Sequence, residues 1–105
     1  MARVVALLGD LMDRSRLQGA VPDLEVVATA ADAAGAAVVV VDLARHADAL
    51  AEVRAVAPDA VVVAFGPHVD ADALAAARAA GADQVLPRSR FFRDPAAVLT
   101  TPPDQ

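Results

Sequence analysis

The sequence predicts a three-layer α/β fold with a parallel sheet at its centre, and two observations carry that expectation. Short apolar runs rich in β-branched residues recur along the chain, chief among them Ala36-Ala-Val-Val-Val-Val-Asp42. Between them lie Ala-rich stretches with helical spacing and turn residues at their ends. The run that closes on Asp42 shows no polar alternation, which marks a strand buried on both faces, and it is too short to cross a membrane. Asp42 thus falls at a strand's carboxyl end, the edge where open α/β sheets place their sites.

The other elements follow in order. Arg3-Val-Val-Ala-Leu-Leu8 reads as a first buried strand closed by Gly9-Asp10. Asp10 can cap a helix reaching Ala20, with Asp13 in its first turn, where the helix dipole favours negative charge. Val21-Pro22-Asp23 ends that helix, and Leu24 to Ala28 makes a second strand. Thr29 to Gly35 is shorter than the dozen or so residues that join parallel strands, so a shortened or irregular crossover is expected there. After the central strand, Leu43 to Ala57 carries an apolar face of Leu43, Ala47, Leu50, Val53 and Ala57, and reads as one helix with His46 toward water. Ala60 to Phe65 is the fourth strand and Gly66-Pro67-His68 a loop. Asp70 and Asp72 open a helix that runs to Ala80 and stops at Gly81. Gln84 to Leu86 is a fifth strand, Pro87 to Arg93 a basic and aromatic loop, and Asp94-Pro95 starts a last helix to Leu99. Residues 1–99 are expected to form a single domain, with 100–105 as a frayed tail. With right-handed connections the strands take the flavodoxin-like order 2-1-3-4-5, which sets Asp10 and Asp42 across the switch point between the first and third strands.

Composition narrows the function classes. The chain of 105 residues is 57% hydrophobic, yet it holds three Phe and no Trp or Tyr, so its layers are thin and closely packed. Without cysteine, thiolate metal sites and Cys nucleophiles are excluded. A net charge of -5 argues against nucleic-acid binding, which rests on a basic face. Every basic residue apart from His is Arg, so no lysine is present for Schiff-base chemistry. No signal-like segment and no run of membrane-spanning length appears, so the expectation is a cytoplasmic protein with no membrane partner.

Over nearly its whole length the pattern resembles receiver domains of bacterial response regulators, the phosphoacceptors of two-component signalling. In Val-Val-Val-Val-Asp42-Leu43, Asp42 matches the family's phosphoacceptor, and Asp10 matches one of the two acidic residues that help bind Mg²⁺. Gly9 stands where the second carboxylate is expected. Gly66 replaces the Ser or Thr that ends the fourth strand, and in Gly81-Ala-Asp-Gln-Val-Leu-Pro-Arg88 the family's Lys position is Arg88. The stretch from Gly66-Pro-His-Val-Asp70 to Leu86-Pro-Arg-Ser-Arg-Phe91 also resembles short, stand-alone receiver-like proteins of undefined role.

Each candidate residue also has a structural reading. Asp42 and Asp10 are equally suited to capping the helices that follow them. Arg88 can neutralise Asp42 or Asp10 across the strand ends. His68 lies in the loop above the same edge, placed for acid–base work or simply solvated. Arg88-Ser-Arg90-Phe91-Phe92-Arg93 is either a partner-contact patch built on Arg90, Phe91 and Arg93 or a loop whose phenylalanines close the base of the last helix. The resulting expectation is a degenerate receiver-like module, not an enzyme, that works without a cofactor. It binds another protein, such as a kinase or signalling partner, or a second copy of itself, through its fourth helix, fifth strand and Arg-Phe segment. Two alternatives stand beside it. One is an active phosphoacceptor, with Asp42 as nucleophile, Mg²⁺ on Asp10 and Asp42, and Arg88 on the phosphoryl oxygens. The other is a small-anion sensor at the helix amino termini around Gly9 and Gly66.

Overall fold

The computed structural model describes residues 3–67 and 69–100. His68 and the tail from 101 to 105, both carrying expectations from the sequence, lie outside the described residues. Five strands, β1 (Val4–Leu7), β2 (Glu25–Val27), β3 (Val38–Asp42), β4 (Val61–Gly66) and β5 (Gln84–Pro87), form one sheet in the order β2-β1-β3-β4-β5. Every pairing is parallel, as the run of buried valines requires.

Strand alternation divides the core in two. Val5, Leu7, Val39, Val41, Val62 and Ala64 face one side of the sheet, and Ala6, Val40, Val63, Phe65 and Leu86 the other. On the first side lie α3 (Leu50–Val56) and α4 (Ala71–Ala79), which contribute Leu50, Val53 and Ala77. On the second lie α1 (Leu11–Ala20), α5 (Arg88–Phe91) and α6 (Pro95–Thr100), which contribute Leu17, Phe91, Val98 and Leu99.

The short second crossover is a single 3-10 turn, Ala30–Ala33, held from outside. Arg3 donates to the carbonyls of Ala34 (2.9 Å) and Asp32 (3.0 Å) and to Glu25 (3.2 Å), so one guanidinium ties β1 to the irregular link.

Two expected segments differ. Leu43 to Ala57 is three pieces: α2 (Leu43–His46), a 3-10 turn (Ala47–Ala49) and α3. The break falls at His46, which is half-buried, with Nε2 3.3 Å from the Leu8 carbonyl. That bond draws α2 over the β1–α1 loop. Within Pro87 to Arg93, where a loop was expected, α5 forms a helical turn, because two adjacent phenylalanines must both enter the core. The Phe92 amide donates to the Arg88 carbonyl at 2.9 Å, closing the turn.

Candidate functional site at the carboxyl edge of the sheet

Asp10 leaves β1 in extended conformation and caps α1, its Oδ1 accepting from the amides of Met12 (2.7 Å) and Asp13 (3.3 Å). Asp42 ends β3 and caps α2, its Oδ1 accepting from the Ala44 amide at 3.0 Å. Capping was the structural reading for both, and both do it. They differ in exposure: Asp10 faces solvent, whereas Asp42 is 3% exposed. Register brings the remaining positions alongside, Asp42 beside Phe65 and Gly66 beside Pro87, the residue before Arg88.

Arg88 was expected to pair with Asp42 or Asp10. Instead it grips Asp13, with Nη1 donating to Oδ2 at 2.8 Å and Nη2 donating to Oδ1. Asp13 is 2% exposed, so its charge must be matched locally, while Asp10 and Asp42 each already spend an oxygen on a cap. The Arg88 guanidinium is raised above its ordinary pKa chiefly by the hydrogen bond to Asp13; burial opposes this, and the fields of Asp13, Asp42 and Asp10 add to it. Three carboxylates therefore act on one cation. The sequence did hold a signal for Asp13: it lies four residues before Leu17, the other buried residue of α1, and so on the helix's inner stripe.

The chain's three phenylalanines form one cluster beneath this pair. Phe65 stacks on Phe91 with centroids 4.8 Å apart, and Phe92 meets both edge-on at 5.2 and 5.0 Å. Phe91 is fully buried, so it is a core residue, and the outer face of this segment is left to Ser89, Arg90 and Arg93.

Gly9 also has a local cause. A Cβ there would lie 2.0 Å from Cγ and 2.8 Å from Cβ of Arg45, whose stem crosses the position where a second carboxylate was anticipated. Among the described residues, no three His, Asp or Glu side chains are placed to hold a metal ion. With Asp13 spent on Arg88, Asp10 and Asp42 are the carboxylates of the strand ends, and each already caps a helix. Beside Gly66, between α2 and α4, a groove of about 370 Å³ is lined by Leu43, Ala47, Leu50, Pro67 and Ala77. Among the described residues, its walls carry no ionisable side chain. No helix among the described residues is long and apolar enough to cross a membrane.

No family model matches the sequence, and no curated protein is detectably similar to it. Solved structures are similar in fold. A Burkholderia pseudomallei response regulator with a phosphorylated aspartic acid, calcium ion and citrate superposes with a TM-score of 0.83 at 14% identity, over 99% of this chain and 69% of that one. A response regulator from Hahella chejuensis gives 0.79 at 19% identity, over 95% and 93%. A phosphorylated cyanobacterial phytochrome response regulator gives 0.74 at 13% identity, over 92% and 90%. The fold is that of a response-regulator receiver. The expected sheet order is that of the receiver fold, and Asp10, Asp42, Gly66 and Arg88 stand at its carboxyl edge. At that edge Arg88 turns to α1, and Arg45 covers Gly9.

Proposed function

We propose that the chain is a receiver-fold regulatory module of cytoplasmic signalling that works by binding another protein, without phosphoryl transfer at Asp42 and without enzymatic activity. The observation that carries this reading is the two-pronged pair between Arg88 and Asp13. Aspartyl phosphorylation brings an anion to a carboxylate, and needs a cation to screen it and donors for the phosphoryl oxygens. Here the basic residue after β5 already gives two of its N–H donors to Asp13, which also matches its charge. Gly66 offers no hydroxyl to turn toward a modified aspartate, and the neighbouring groove is apolar. Docking falls to α4, β5 and the segment after it, where Arg90 and Arg93 are exposed.

The test is intact mass after incubation with Mg²⁺ and a small acyl phosphate, beside Asp42→Asn, which keeps an oxygen for the Ala44 amide. The expected result is unchanged mass and no effect of Mg²⁺ on the melting temperature. A labile phosphoryl adduct on the wild type alone would overturn the reading in favour of an active phosphoacceptor.

A further inference from the structure

We infer that an open pocket of about 500 Å³ between α1 and the segment after β5 receives a carboxylate side chain from an acidic stretch of the partner protein. The inference rests on the binding-module reading and adds the chemistry of the partner. Arg16, Arg88, Ser89, Phe92 and Arg93 line the pocket. Two guanidinium groups lie over one ring, Arg16 at 4.6 Å and Arg88 at 5.1 Å from the Phe92 centroid. Among the described residues, only one of them has a counter-charge. Arg88 is matched by Asp13, whereas the other ion-paired arginines among the described residues are Arg3 and Arg54, and Arg16 and Arg93 have no carboxylate within salt-bridge distance.

Arg16 lies over the ring, and among the described residues its guanidinium N–H groups donate to no acceptor, which leaves them to take a carboxylate with two parallel bonds. An incoming carboxylate would supply the missing counter-charge beside two cations held at one ring. The Ser89 hydroxyl lies in the same lining and can donate to a second oxygen. The pocket's charge is opposite to that of the whole chain, at -5, so attraction is local. A long polyanion, whether nucleic acid or a lipid surface, would meet repulsion from the rest of the molecule, whereas a short acidic segment reaches the pocket alone.

The experiment is a titration of the isotope-labelled protein, followed by backbone amide shifts. The probe is a doubly capped hexapeptide of alternating Glu and Asp, beside its Gln and Asn counterpart. Saturable shifts are expected at Arg16, Ser89 and Arg93 with the acidic peptide and none with the neutral one. Arg16→Gln and Arg93→Gln should each weaken binding about tenfold. Both residues are exposed and both variants keep Arg88 on Asp13, so their melting temperatures serve as the folding control. No saturable shift, or affinity untouched by either substitution, overturns the inference, as does equally tight binding of a single-stranded oligonucleotide or anionic vesicles. A partner lost on substituting Arg90 and Arg93 but indifferent to Arg16→Gln would sink this inference alone. A phosphoryl adduct on Asp42 would sink the reading beneath it.

Discussion

Arg88 and Asp13, 75 residues apart in sequence, are joined by two hydrogen bonds that tie the segment after the last strand to the first helix. The pair is asymmetric: Asp13 is 2% exposed and the Arg88 side chain 37%. Removing Arg88 strands a buried carboxylate, while removing Asp13 leaves a cation that water can reach. Arg88→Met is therefore expected to cost about 3 kcal/mol and Asp13→Asn about 1 kcal/mol. The double variant Asp13→Leu/Arg88→Met should lose less than the sum of its single substitutions. Urea unfolding of the four proteins measures this; equal losses from the two single substitutions would show that Asp13 is not the buried partner.

The same pair fixes a pH expectation. Arg88 has a raised pKa in the folded chain, chiefly through its hydrogen bond to Asp13, so its contribution is complete below the unfolded guanidinium's pKa and is lost only as pH rises through the folded value. The coupling between Asp13 and Arg88 should then be unchanged between neutral pH and about pH 10. Repeating the double-mutant cycle at both ends checks it. A coupling that fades across this range would point to a different titrating group at the bridge.

The sheet was legible because buried parallel strands write themselves as runs such as Val38 to Val41, and the turn residues between them are strong signals. Asp10 and Asp42 were legible as strand-end carboxylates for the same reason. The charge partners were not, since a pairing between Arg88 and Asp13 depends on how α1 rotates against the sheet. Leu17 alone hinted at that rotation. Nor was the break at His46 legible, because it is made by a ring contact with Leu8, 38 residues away in sequence. Phe91 illustrates the practical consequence. It belongs with Phe65 in the core, so a surface variant of this segment should alter Arg90 and Arg93 only; Phe91→Ala would cost about 3–5 kcal/mol and confuse lost folding with lost binding.

Two glycines with positive φ should respond differently to alanine. Gly35 has φ 79° and open space where a Cβ would go, so Gly35→Ala is expected to cost about 1 kcal/mol from backbone strain alone. Gly81 has φ 121°, and its Cβ would sit 2.8 Å from Cβ of Arg54, which also donates to the Gly81 carbonyl and to Asp83 (2.6 Å). Gly81→Ala should cost more than about 2 kcal/mol, since strain and displacement of Arg54 add. Thermal melts ranked the other way round would mean that the Arg54 contacts do not hold the α4–β5 joint.

Gly9 and Arg45 make the last test, because they ask whether the edge can be given back its missing carboxylate. Any side chain at position 9 meets the Arg45 stem at 2.0 Å, so Gly9→Asp alone must push that stem aside and should destabilise the fold by about 1–2 kcal/mol. Arg45→Ala removes the Cγ and Cδ contacts and leaves only the Cβ at 2.8 Å, a smaller adjustment, so Gly9→Asp/Arg45→Ala should recover most of that loss. The double variant would then present the introduced carboxylate together with Asp10 and Asp42 at one strand edge, with one cation fewer beside them. Like charges crowded together favour a divalent ion, so its melting temperature should rise on adding Mg²⁺, while that of the wild type stays unchanged. A wild type that responds as strongly as the double variant would show that Asp10 and Asp42 already suffice for the metal, and that the crowding at Gly9 does not keep it out.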